Sequence, residues 1–177
     1  MLRLLLLRLR CRGRLHAARG ARAARGASVH VAPGARVFLG AGARLGADAR
    51  IDAQAGTVRI LPGAKIGAEA SIVAHAPVIV GPGAALGERA TIVAHAGVVV
   101  DVGAVIGDWA ALVDATPVAD DVERPVREQP LRTAPIRVGA RAVLGPHAAL
   151  GPGADVAPGV RVAPYAVLEA RAASSAS

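Results

Sequence analysis

The feature that most constrains this sequence is an aliphatic residue that recurs every six positions. The members of the series are Leu39, Leu45, Ile51, Ile60, Ile66, Ile72, Val80, Leu86, Ile92, Val100, Ile106, Leu112, Val138, Leu144, Leu150, Val156, Val162 and Leu168. A step of six fits neither the 3.6-residue stripe of an α-helix nor the two-residue alternation of a hairpin strand. The period instead predicts short strands joined by tight turns, with one aliphatic residue of each strand pointing inward.

A second period groups these positions into coils. The triplets start at residues 39, 60, 80 and 100, and the segments 72–91 and 92–111 share 11 of 20 positions. Three six-residue sides and about two extra residues make one coil of a three-sided parallel β-helix, an all-β fold. Equivalent residues then stack from coil to coil as aliphatic ladders, which explains how a chain with only 2% aromatic residues can form a core.

The repeat is interrupted once, between Leu112 and Val138. This stretch contains four prolines and nine charged residues, and it holds about 18 residues more than one coil needs. We expect residues 113–135 to leave the solenoid at one corner as a loop. A long polar insertion in a regular repeat is often functional, although a tolerated surface loop is the alternative.

Charge is concentrated near the start of the sequence. Eight arginines precede residue 27, the first acidic residue is Asp48, and the net charge is +8. We interpret residues 1–28 as a basic, Leu- and Arg-rich arm or helix, 29–170 as the β-helix domain and 171–177 as a disordered tail. The arm either contacts anionic lipid or nucleic acid, or packs on the end of the domain.

Composition excludes several classes of protein. No stretch approaches the roughly 20 apolar residues of a membrane-spanning helix. A single cysteine, Cys11, excludes an internal disulfide framework and a multi-cysteine zinc site, and it fits a reducing, cytoplasmic location. The scarcity of aromatic residues argues against a stacking platform for single-stranded nucleic acid, so no nucleic-acid partner is expected.

The repeat, aliphatic–Gly/Ala–x–x–small–x, resembles that of the hexapeptide-repeat acyltransferases. The loop sequence ERPVREQPLRTAPIRVG, followed by A-x-x-L-G-P-H, is similar to the galactoside, maltose and xenobiotic acetyltransferase branch. The resemblance covers about residues 29–170. It implies a left-handed β-helix, a homotrimer with sites between subunits, and acyl transfer from acetyl-CoA or another acyl-CoA to the hydroxyl of a sugar or other small acceptor, with no metal.

That family places a catalytic histidine just before the loop, where this chain reads Asp114, Ala115, Thr116 and Pro117. The histidine is replaced by Pro117 or deleted beside it. His95, one coil earlier, is the candidate base, since imidazole titrates near neutral pH. His75 occupies the same place in the preceding coil, so we expect the two rings to face outward and stack.

The other candidate site residues each have a structural alternative. His75 and Asp114 are candidate substrate-binding residues, but the histidines could follow from duplication of IVAHA, and Asp114 could be a turn residue. Asp101 and Asp108 are expected to cap turns. Candidate acyl-CoA contacts, implied by the resemblance or by location, are Gly145, Pro146, Pro164 and Arg161.

Three further hypotheses remain open. A β-helix that has lost its base could be a non-catalytic scaffold or binding protein. A zinc hydratase of the γ-carbonic anhydrase type could use His75, His95 and His147, but the H-x4-H pair of that family is missing. The third is nucleic-acid binding through the basic arm.

Overall fold

Seven coils of a parallel β-solenoid make up the described structure, a computed structural model that covers residues 13–118 and 129–170 together with Leu7 and Cys11. Each coil gives one strand to each of three seven-stranded sheets. The first sheet contains β1 (Leu15–Ala17), β4 (Arg36–Leu39), β7 (Thr57–Ile60), β10 (Val78–Val80), β13 (Val98–Val100), β18 (Ile136–Val138) and β21 (Asp155–Val156).

The second sheet contains β2 (Arg22–Ala23), β5 (Arg44–Leu45), β8 (Lys65–Ile66), β11 (Ala85–Leu86), β14 (Val105–Ile106), β19 (Val143–Leu144) and β22 (Arg161–Val162). The third contains β3 (Ser28–Val31), β6 (Arg50–Ala53), β9 (Ser71–Ala74), β12 (Thr91–Ala94), β15 (Ala111–Val113), β20 (Ala149–Leu150) and β23 (Val167–Leu168). We call the turns from the first to the second sheet the first corner, those from the second to the third the second corner, and those back to the first the third corner.

The predicted all-β, parallel solenoid is confirmed, and so are its aliphatic ladders. Every position of the six-residue series from Leu39 to Val162 is buried, and the partners are in register, as Leu86 is with Ile66 and Ile106. Only Leu168 is partly exposed, at 37%, because β23 is the edge strand of its sheet and no further described coil packs over it. The left-handed winding implied by the family resemblance stays a prediction.

The solenoid begins earlier than the sequence analysis placed it. β1, β2 and the start of β3 lie within residues 1–28, which were interpreted as an arm, and Leu15 is buried against the core. The inward positions of this coil are Ala17 and Ala23. Both keep the six-residue step to Val29, but alanine carries no aliphatic signal at a position of the repeat.

Glycine lies where neighbouring coils approach most closely. A Cβ built on Gly107 would lie 2.6 Å from the carbonyl carbon of Gly145 in the next coil, a distance that no side chain tolerates. The recurrent glycine after the inward aliphatic residue of the second sheet is therefore a packing requirement.

The interruption of the repeat starts from an antiparallel ribbon. β16 (Ala115–Pro117) pairs with β17 (Leu131–Thr133), with Thr116 opposite Arg132. Residues 119–128 between them and the predicted tail 171–177 lie outside the described residues, so the loop beyond this ribbon stays a prediction. No helix in the described part of the chain has the length and apolar character needed to cross a membrane.

Candidate functional site

The two candidate histidines lie next to each other on the third corner. The ring centroids of His75 and His95 are 4.7 Å apart, because β9 and β12 pair in register and place the two side chains one coil apart on the same outward column. The predicted outward column is therefore confirmed, but the two ring planes are tilted by 32° instead of being stacked in parallel. His75 is exposed, whereas the His95 side chain is 29% exposed, so the later histidine lies in the more enclosed position.

Asp114 lies inside the solenoid. It follows β15 in the register that puts Ala94 at the same place one coil earlier, and it is fully buried. Its Oδ1 accepts the backbone N–H of His95 at 2.6 Å, and its Oδ2 accepts those of Ala96 and Gly97 at 2.8 and 2.6 Å. A carboxylate with this burial and these partners does not meet a substrate, so Asp114 is the turn residue of the two alternatives.

The reason for a buried aspartate is the departure of the chain from the solenoid. One coil earlier, the carbonyl oxygen of Ala94 accepts the N–H groups of His75 and Ala76 at 2.8 and 3.1 Å. At Asp114 the backbone carbonyl instead accepts the N–H of Ala134 beside the ribbon, at 3.1 Å. The carboxylate supplies the acceptor that the next coil would have provided, since buried N–H groups must be paired.

This arrangement also fixes the surroundings of the His95 ring. Its Nδ1 lies 4.0 Å from Asp114 Oδ1, is buried, and has no hydrogen-bond partner among the described residues. Nδ1 is thus turned toward the interior on the carboxylate side. The nitrogen left for an external group is Nε2, on the part of the ring that is exposed.

A polar cluster continues the same face toward the start of the chain. His30 Nδ1 lies 2.9 Å from Asp52 Oδ1, and Gln54 Nε2 donates to the same oxygen at 2.7 Å. Partial burial raises the pKa of Asp52, but the hydrogen bonds from His30 and Gln54 outweigh it and leave that pKa below its usual value. The cluster is a charged surface next to the histidine column.

Asp101 and Asp108 cap turns, as expected. Asp101 Oδ1 accepts the N–H of Val102 at 2.8 Å, and Asp108 Oδ1 accepts the N–H of Glu88 in the preceding coil, also at 2.8 Å. These carboxylates stabilise corners and need no further role.

The candidate acyl-CoA residues gather on one edge of coils six and seven. Gly145 and Pro146 begin the second corner of coil six, Pro164 lies in the same corner of coil seven, and Arg161 points outward from β22. All but Gly145 are exposed. The histidine column lies on the third corner, so the two sets of candidates are not brought together within one chain.

A column of stacked side chains at the second corner was not predicted. We call Trp109, His147 and Tyr165 the ring ladder: the centroids of Trp109 and His147 are 6.0 Å apart with planes at 10°, and those of His147 and Tyr165 are 4.8 Å apart at 3°. Each residue lies three positions after an inward aliphatic residue of the second sheet. The same offset identified the His75–His95 column on the third sheet, so applying it to every side would have found the ladder.

Two further residues extend the ring ladder toward the start of the chain. The Arg89 guanidinium lies 4.6 Å from the centre of the Trp109 ring and pairs with Glu69 through bonds of 2.8 and 3.0 Å. Those hydrogen bonds lower the pKa of the Glu69 carboxyl. Five coils thus contribute one continuous stack to the second corner.

Basic residues also form a column, on the outer face of the second sheet. Arg22, Arg44 and Lys65 lie opposite one another on neighbouring strands and are exposed. Like charges in this arrangement repel. No described acidic residue forms an ion pair with any of the three.

Within residues 13–118 and 129–170, no group of three His, Cys, Asp or Glu side chains is arranged to hold a metal ion. The fold and the repeat define the chain as a parallel β-solenoid consistent with a hexapeptide-repeat β-helix. Comparison with models of known protein families and with curated protein sequences gave no match.

Proposed function

We propose that the protein is an O-acyltransferase that takes an acyl group from acetyl-CoA or a related acyl-CoA and transfers it to the hydroxyl of a sugar or another small acceptor. The sites would lie between the subunits of a homotrimer. A reducing compartment such as the cytoplasm is part of the proposal, because the chain has a single cysteine. The loop resemblance in the sequence and the solenoid fold support it together.

The observation that carries the proposal is the His95 imidazole. It is partly exposed beside the point where the chain leaves the solenoid, with Nδ1 turned inward and 4.0 Å from Asp114. His95 Nε2 would take the proton of the acceptor hydroxyl as its oxygen attacks the thioester carbonyl. The carbon–sulfur bond then breaks, and the proton passes to the departing CoA sulfur.

The two sets of candidate residues fit this scheme only across subunits. The histidine column and the candidate acyl-CoA residues lie at different corners of one chain. A site assembled from the third corner of one protomer and the second corner of its partner would bring them together. An assembly of this kind is why we include the homotrimer in the proposal.

Pro117 favours a second candidate, a non-catalytic scaffold or binding protein. It lies exposed in β16 opposite Leu131, and proline has no proton-accepting side chain. Loss of a general base costs a factor of about 10²–10⁴ in rate, so a chain that depended on this position would be nearly inactive.

The test is acetyl-CoA binding by calorimetry and turnover on a panel of sugars, for wild type, His95→Ala, Pro117→His and the control variant His30→Ala. Pro117→His is preferable to inserting a histidine after Thr116, because an insertion would shift the register of the ribbon by one residue. Acetyl-CoA binding with turnover that His95→Ala removes and His30→Ala keeps would support the enzyme. A trimer with no affinity for acetyl-CoA or a longer acyl-CoA at millimolar concentration would support the scaffold.

The basic column supports contact of the first coils with an anionic lipid surface. Arg22, Arg44 and Lys65 carry three unpaired charges in a row on the described surface, and each basic residue near such a membrane contributes about 1 kcal/mol. Sedimentation with phosphatidylserine vesicles should fall when the three are changed to glutamine. Binding to single-stranded DNA instead, with a steep salt dependence, would favour the nucleic-acid alternative.

A further inference from the structure

The ring ladder ends on an open face at Tyr165. One face of this ring is covered by His147, yet the residue is 72% exposed. Within the described part of the chain, no ring or cation lies over the second face. At the other end of the ladder, toward the start of the chain, the Arg89 guanidinium covers the face of Trp109. Among the described residues, the stack therefore has one free position, above Tyr165.

The backbone shows that these side chains are kept at a conformational cost. Trp109, His147 and Tyr165 have φ of 60°, 59° and 60°, in the left-handed region where a non-glycine residue costs about 1–2 kcal/mol. Six of the seven coils have a non-glycine residue at this position of the second corner. These residues are Asp48, Glu69, Arg89, Trp109, His147 and Tyr165.

The equivalent position of the first corner provides the comparison. There, six of the seven coils have a glycine, and the exception is Arg141. Space does not explain the difference, because a Cβ built on Gly42 or Gly83 meets no atom within 4 Å. Large side chains at the second corner are thus not a requirement of the turn. Strained residues that project to the surface are typical of binding sites.

The charges beside the ladder change between its two ends. Glu88 and Asp108 precede Arg89 and Trp109 at the lower rungs, whereas Pro146 and Pro164 hold the same position beside His147 and Tyr165. Arg161 points outward from the strand that leads into the Tyr165 corner, and it forms no ion pair with a described residue. At its open end the stack therefore has no acidic residue at the corner position before the ring, and it has a basic residue on the strand that leads into the corner.

We infer that the exposed face of Tyr165 stacks on the base of a nucleotide, and that Arg161 binds the phosphate. A planar ring continues the ladder by one rung, and guanidinium pairs with phosphate through two parallel hydrogen bonds. The inference rests on the proposed function only for the source of the nucleotide, which would be the adenosine bisphosphate portion of an acyl-CoA. A free adenine nucleotide has the same chemistry.

The direct test measures binding of adenosine 3′,5′-bisphosphate by calorimetry and by the NMR shifts of its adenine protons. Tyr165→Gly removes the ring and suits the positive φ, so it keeps the fold; Tyr165→Phe keeps the ring and is the matched control. We expect Tyr165→Gly to weaken binding about tenfold or more and to abolish the upfield ring-current shift, and Tyr165→Phe to stay within about twofold. Arg161→Gln should weaken binding and flatten its salt dependence.

Equal affinity of wild type and Tyr165→Gly, or no binding to wild type at about 10 mM, would overturn the inference. A second acyl donor distinguishes failure of the stacking site from failure of the proposed acyltransferase activity. Acetyl-pantetheine carries the thioester without the nucleotide, so Tyr165→Gly should raise the KM for acetyl-CoA and leave kcat/KM for acetyl-pantetheine unchanged. Turnover of acetyl-CoA with the same KM in both proteins rejects the stacking site and keeps the enzyme. Ring-dependent nucleotide binding without turnover of either donor rejects the enzyme and keeps the site, with a free nucleotide as ligand.

Discussion

Replacing Asp114 by alanine should expose how much a buried carboxylate contributes where the solenoid is interrupted. Alanine already occupies the equivalent position in the three preceding coils, as Ala53, Ala74 and Ala94, so the change fits without a clash. What it removes is the acceptor for three backbone N–H groups at 2.6–2.8 Å. The measured loss therefore reports hydrogen bonding rather than core packing.

The magnitude follows from these three bonds. A hydrogen bond to a charged acceptor contributes about 1.5–3 kcal/mol, but the three share two oxygens in a corner that water can reach in part, so their sum is reduced. We expect Asp114→Ala to lower the free energy of unfolding by about 3–5 kcal/mol. Asp114→Asn should lower it by about 2 kcal/mol, since the amide keeps one acceptor oxygen but sets an NH2 group against an N–H donor.

Urea unfolding measures the global loss, and native-state hydrogen exchange locates it. The amides of His95, Ala96 and Gly97 should exchange about 150- to 5,000-fold faster in Asp114→Ala, because each 1.36 kcal/mol of the expected loss corresponds to a factor of ten. Asp101→Ala, an exposed cap, is the matched control and should cost about 1 kcal/mol or less. An Asp114→Ala protein with wild-type stability and unchanged exchange at the three amides would refute the reasoning.

Three further predictions concern the corners. Gly107→Ala should lower the free energy of unfolding in urea by about 3 kcal/mol, because the added Cβ meets the backbone of the next coil. Gly83→Ala, where the Cβ enters open space at φ of 65°, should lower it by about 1 kcal/mol. Equal losses would contradict the packing argument. Alanine is usually less destabilising than glycine, but at Trp109 we expect the opposite. Trp109→Gly should be more stable than Trp109→Ala by about 1 kcal/mol, because glycine adopts φ of 60° without strain. An alanine variant that is the more stable of the two would show that the turn is unstrained. Hydrogen bonds from Arg89 hold the pKa of the Glu69 carboxyl below its ordinary value. The Glu69–Arg89 pair therefore stabilises the fold above the pKa that Glu69 has in the unfolded chain, and this contribution is lost as the pH falls through the lower pKa of the folded protein. NMR titration of Arg89→Gln should show the Glu69 pKa rising toward its ordinary value, and an unchanged pKa would remove Arg89 as the cause.

The fold follows closely from the sequence because one rule repeats in every coil. A six-residue step places each inward aliphatic residue beside its equivalents, so the ladder from Leu39 to Val162 could be written down in advance. The first coil was missed because Ala17 and Ala23 fill its inward positions with the residue that is also common in turns. Where the core residue carries no aliphatic signal, periodicity alone does not identify the coil.

The candidate site was less predictable because its residues depend on where the repeat stops. Asp114 has the sequence context of a loop-entrance acid, and only the coil-to-coil hydrogen bonds show that it replaces a missing carbonyl. The ring ladder bridges the interruption, with Trp109 before it and His147 after it. Those residues are 38 positions apart in sequence, and they become neighbours only because the chain returns to the solenoid after the insertion and forms the next coil.

The order of the coils also gives the molecule an uneven distribution of charge along the solenoid axis. Residues 14–74, the first three coils, hold nine Arg and Lys against three Asp and Glu, whereas the described residues from 75 to 170 hold five against six. The solenoid is thus a rod with a positive end and a nearly neutral end. A threefold assembly about an axis along the rods must align them in parallel, which gathers three positive ends into one. Counterions or a polyanion at that end would stabilise any such trimer, whereas an antiparallel dimer would keep the positive ends apart without added salt.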